Sequence, residues 1–60
     1  MQEHVELEVS LEIIMAEIAD VIMNLKSKED EEKLQKLILL QENAYKGNRE
    51  SVKKILNKEF

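Results

Sequence analysis

The chain has no cysteine, no proline and no tryptophan, and its 60 residues include one glycine, one histidine, one tyrosine and one phenylalanine. Without cysteine there is no disulfide, no thiolate zinc site, no iron–sulfur cluster and no Cys nucleophile. The single His4 cannot by itself build a multi-histidine metal site or a catalytic imidazole network. The chain contains no Glu-x-x-His pair, no glycine-rich phosphate loop and no nucleophile motif with an orienting base, so the sequence points away from an enzyme and calls for no cofactor. The most apolar stretch, residues 13–25, is interrupted by Glu17 and Asp20 and is too short to span a bilayer, and the Met1-Gln2-Glu3-His4 start has no basic n-region. A soluble, cytoplasmic protein with no membrane contact is the expectation.

What remains is strongly patterned: 43% of the residues are apolar and 37% charged, with a net charge of −4. Leu7, Leu11, Ile14, Ile18, Val21 and Leu25 recur at spacings of four and three, the repeat of a helix seam that keeps facing one neighbour. A competing period is present, since Val5, Leu7, Val9, Leu11 and Ile13 alternate with His4, Glu6, Glu8, Ser10 and Glu12 as in a half-buried strand. Helix is the preferred reading, because the seam continues in phase into Ile14 and Ile18, no turn residue intervenes, and alternate Glu residues suit strands poorly. The alternative is a short N-terminal strand followed by helices, paired across a dimer as in ribbon-helix-helix proteins. The acidic face of such a strand would repel the phosphates that those proteins meet.

Boundaries follow from capping chemistry. Ser27 and Asp30 have the spacing of a reciprocal N-cap box, with Glu29, Asp30 and Glu31 where unpaired backbone N–H groups favour negative charge. Gly47 can close a helix in the left-handed conformation, and Asn48 can open the next. The expected architecture is all-α: one domain over residues 1–60, with helices at about 3–26, 28–46 and 49–58, a long hairpin plus a short C-terminal helix.

A chain this small, folded alone, hides only about 60% of the surface its extended form exposes, and it lacks the disulfides that commonly compensate. Its first helix nonetheless has more than one apolar stripe: ten of the thirteen residues from Ile13 to Leu25 are apolar, and Ile13, Ala16, Ala19 and Met23 lie behind the seam. In the second helix, Leu39 and Leu40 point away from the side shared by Leu34, Ile38, Gln41 and Tyr45. This excess predicts a homo-oligomer, a dimer first, with a larger protein partner as a further option. The interface is expected to use Leu7, Leu11, Ile14, Met15, Ile18, Val21, Ile22 and Leu25 of the first helix with Leu39 and Leu40 of the second. Met15, Met23 and Tyr45 are read as packing groups, and Asn24 and Gln41 as capping or register polars.

Residues 1–32 carry ten acidic and two basic side chains, whereas residues 33–60 carry three acidic and seven basic, so the halves are complementary in sign. Lys46, Arg49, Lys53, Lys54 and Lys58 form a basic end able to meet phosphates, although a solvated helix face accounts for them more simply and no stacking platform accompanies them. The Glu3/Glu6, Glu8/Glu12 and Glu17/Asp20 pairs and His4 with Glu8 have helical neighbour spacings that could hold a hard cation if buried, but most are read as solvated groups, with Glu17 and Asp20 expected to pair with Lys or Asn groups at an interface. The functional expectation is a small non-enzymatic interaction, adaptor or regulatory protein acting as a self-associated bundle. A nucleic-acid-associated regulator using the basic last helix is the alternative.

Overall fold

The computed structural model describes residues 2–60, with side chains from His4 onward. It contains three helices, α1 (Gln2–Met23), α2 (Lys28–Tyr45) and α3 (Arg49–Leu56), and no strand among the described residues. Residues 4–12, where the alternating pattern competed, are helical. The helical phase wins there because the covered side of α1 continues through Ile14 to Val21 without a break, which an alternating strand ending at Ile13 could not do.

Each boundary has a physical cause. α1 stops at Met23, three residues before the expected end, where Asn24 folds back: its Nδ2 donates to the Asp20 carbonyl at 2.9 Å and its backbone N–H to the same oxygen at 3.2 Å. Leu25 therefore lies in the connection rather than on the seam. α2 opens with the complete capping box. Ser27 Oγ accepts from the Asp30 N–H at 3.3 Å, and Asp30 Oδ2 accepts from the N–H groups of Ser27 at 3.2 Å and Lys26 at 2.9 Å. These bonds, the one from Lys26 first, hold the Asp30 carboxyl below its ordinary value near 3.8 by favouring its charged form.

α2 closes on Gly47 at φ 89°, with Gly47 N–H donating to the Ala44 carbonyl at 3.0 Å and Asn48 N–H to the Asn43 carbonyl at 3.1 Å. This is a Schellman closure, which requires the left-handed residue that glycine supplies. Asn48 then caps α3, its Oδ1 accepting from the Ser51 N–H at 3.0 Å. α3 ends in the same way without a glycine: Lys58 takes φ 55°, and Lys58 and Glu59 N–H donate to the carbonyls of Ile55 and Lys54 at 3.0 and 2.8 Å.

The buried apolar core among the described residues is small. It consists of Ile14 and Val21 from α1, Leu37 and Ala44 from α2 and Ile55 from α3, with Leu7, Leu11, Ile13, Ile18, Leu34, Leu40 and Val52 packed around it. Ser10 and Ser51 are buried beside these residues, and Ser10 satisfies its hydroxyl by donating to the Leu7 carbonyl at 2.7 Å. The molecule is a rod of 40 × 16 × 15 Å, because the 22-residue α1 outruns the eight-residue α3.

Candidate interaction face

The hairpin of α1 and α2 has two sides, and α3 occupies one of them. Arg49 Nη2 of α3 lies 3.8 Å from Glu6 Oε1 of α1. The segment after α3 encloses an open depression of about 280 Å³ with Lys33, Lys36, Leu37 and Leu40 of α2, closed by Lys54, Glu59 and Phe60. Glu6 and Ile13 on α1, and Lys33, Lys36 and Leu40 on α2, therefore mark the covered side. Residues advance about 100° per position along a helix, so the opposite side of α1 carries Leu11, Met15, Ile18 and Ile22, and that of α2 carries Leu34, Ile38, Gln41 and Tyr45.

Both sets run at spacings of four, three and four, so two apolar rows lie on the same face of the hairpin. Not one of the eight positions is ionisable at neutral pH. Leu11, Ile18, Leu34 and Gln41 form the half-buried floor. On the rims Met15, Ile22 and Tyr45 are 57%, 54% and 67% exposed, which is a large apolar area for a chain of this size to leave in water.

The expected interface residues divide among three places. Met15, Ile18, Ile22 and Leu11 lie on the open face. Ile14 and Val21 serve the chain's own core and offer no surface to a partner, because the α1 seam continues into the hairpin contact; Leu7 is half-buried against the same core. Leu25 is displaced into the connection, Leu39 sits exposed on the back of α2, and Leu40 turns towards the covered side. Ile38 and Tyr45 belong to the open face and were absent from the expected set. Their signal was present in the 34, 38, 41, 45 spacing, which reads equally well as the side α2 turns to its own chain.

The basic end is dispersed. Lys46 is the C-cap of α2, and Arg49 faces Glu6 across the corner. Lys53 and Lys54 occupy the last turn of α3, where positive charge favours the helix end, and Lys58 lies in the closing turn. Among the acidic residues, Glu17 Oε2 lies 3.4 Å from Lys33 Nζ across the hairpin and Glu8 Oε1 is 3.2 Å from His4 Nε2 along α1. Asp20 receives the Asn24 amide. Glu3, of the Glu3/Glu6 pair, lies outside the described side chains. Among the described residues no three His, Asp or Glu side chains gather as a metal-binding group, and no helix is long and apolar enough to cross a membrane. The depression beside Phe60 has Lys36 and Lys54 on its rim, but Glu59 joins them there and Lys33 is engaged by Glu17.

No family model, no curated protein and no solved structure matches this chain. Its function is therefore read from its faces alone.

Proposed function

We propose that this chain is a small non-enzymatic protein-interaction module, of the regulatory or adaptor kind, that works as a self-associated helical bundle, a homodimer in the first instance. The supporting observation is the open face: Met15, Ile22, Ile38 and Tyr45 stay exposed along two uncharged rows, on a chain whose buried apolar core among the described residues numbers five. Burying such a face is the ordinary source of stability for small helical proteins that lack disulfides or metals. A cysteine-free chain is compatible with a reducing cytoplasm, where we place its action.

Sedimentation equilibrium of the full chain between micromolar and millimolar concentration tests the reading. The expected result is a species of about twice the 7.0 kDa chain mass, dissociating on dilution. A folded species that keeps the single-chain mass throughout that range would exclude it.

A nucleic-acid-associated regulator is the second reading, supported by the solvent exposure of Lys53, Lys54 and Lys58. Its signature is retardation of a nucleic-acid probe that weakens steeply with salt and disappears on charge reversal at Lys53 and Lys54.

A further inference from the structure

We infer that the occupant of the open α1/α2 face is a second copy of this chain, laid face to face so that two hairpins close a four-helix bundle with both α3 helices on its outside. This rests on the self-association proposed above and adds which surface performs it.

Area is the first support. The accessible surface of the chain is 4715 Å². A compact monomer of 7.0 kDa exposes about 4,000 Å² by the usual surface-to-mass relation. The excess of about 700 Å² belongs to the whole rod, and the exposed Met15, Ile22, Ile38 and Tyr45 of the open face contribute to it; a complex of standard size buries roughly 800 Å² on each partner.

Charge complementarity is the second. A basic or acidic foreign helix would find no counter-charge at the centre of this groove, where every seam position is uncharged at neutral pH. The surface that matches it is another uncharged face with two seams, and the chain's own copy supplies one. A two-fold contact of this kind is isologous and closes on itself, so it stops at two chains.

The position of α3 is the third. By lying along Glu6 on one helix and Lys33 and Lys36 on the other, α3 and its following turn leave the opposite side unobstructed along the hairpin. The four-three-four spacing on both helices is the spacing by which bundle helices interdigitate. Gln41 is the one amide on the two seams, half-buried already in the single chain. In the pair it enters the bundle interior, where a lone polar group restricts the register and the number of chains.

The test compares lysine substitutions on the two sides of the hairpin, read by sedimentation equilibrium with helicity followed by circular dichroism. Met15→Lys, Ile22→Lys and Ile38→Lys are expected to weaken the dimer by at least about 100-fold, as charging the centre of a packed interface does. Met23→Lys and Leu39→Lys, equally apolar losses from exposed back positions, are expected to leave the dimer within about threefold of the parent. A parent dimer broken by the back-face substitutions and not by the open-face ones would overturn this inference while leaving self-association standing; a folded parent that never dimerises would overturn both.

Because a lysine in the groove can also unfold the chain, a second readout uses the absence of native cysteine. Alkylation of Met15→Cys should slow as chain concentration rises, while Leu39→Cys should react at a rate independent of concentration. Concentration-independent alkylation at both positions in a dimerising chain would refute the face assignment.

Discussion

The covered and open sides of the α1/α2 hairpin differ in residue type, charged groups flanking the one and none standing on the other, and they meet different fates. On the covered side Glu6 and Lys33 form cross-helix ion pairs with Arg49 and Glu17, and α3 delivers Ile55 to a site where it is fully enclosed. On the open side the seam residues stop half-buried and the groove rims stay in water. The difference lies in what the corner at Gly47 permits. One glycine at positive φ and one Asn cap send an eight-residue helix back along a single side, and an eight-residue helix cannot cover two. The chain thus completes one side of its hairpin internally and leaves the other exposed.

The largest expected effect comes from breaking the enclosed core that the covered side helps to close. Ile14→Ala removes a fully enclosed side chain and should cost about 2–5 kcal/mol at every chain concentration. Ile22→Ala on the open side should cost less than about 1 kcal/mol in dilute chain and more as the dimer forms. Urea denaturation at two concentrations separates the two cases.

Gly47→Ala comes next. Nothing lies within 4 Å of the added Cβ, so its cost is that of the left-handed backbone, about 1–2 kcal/mol in chemical denaturation. Dismissal of α3 from the covered side would also expose Ile55, which a fall in helicity should report.

Ser27→Ala should cost about 1 kcal/mol by leaving the Asp30 N–H without its capping oxygen. The Asp30 carboxyl, lowered by the N–H groups of Lys26 and Ser27, adds stability that is present above the ordinary value near 3.8 and is lost as pH falls through the lower folded value. An Asp30→Asn variant should therefore lose stability relative to the parent at neutral pH and converge with it in acid.

The smallest effect runs the other way. Lys58 adopts φ 55° at the close of α3, so Lys58→Gly should raise stability by about 0.5–1 kcal/mol, seen as a higher midpoint.

The caps were the most legible part of the sequence. Ser27 with Asp30 and Gly47 with Asn48 act within a few residues, so their spacing alone determines what they can do. The end of α1 was less legible because no glycine or proline marks it; Asn24 stops the helix by folding onto Asp20, and Leu25 kept the periodicity one step too far. The face itself was legible only in part. Periodicity on α1 identified a seam, but assigning Ile14 and Val21 to the inside and Met15 and Ile22 to the outside requires knowing where α2 docks. On α2, Leu39 and Leu40 stood out as surplus apolar groups. On the open side α2 carries Ile38 with Tyr45, which the sequence alone could not distinguish from residues turned inward.

The most direct measurement of the central claim is the thermal midpoint of the unmodified chain across a hundredfold range of concentration. If two copies complete the folded unit, that range stabilises it by about 2.7 kcal/mol per dimer and the midpoint rises steadily with concentration. A midpoint unchanged across the range would show that one chain is the folded unit and contradict the account.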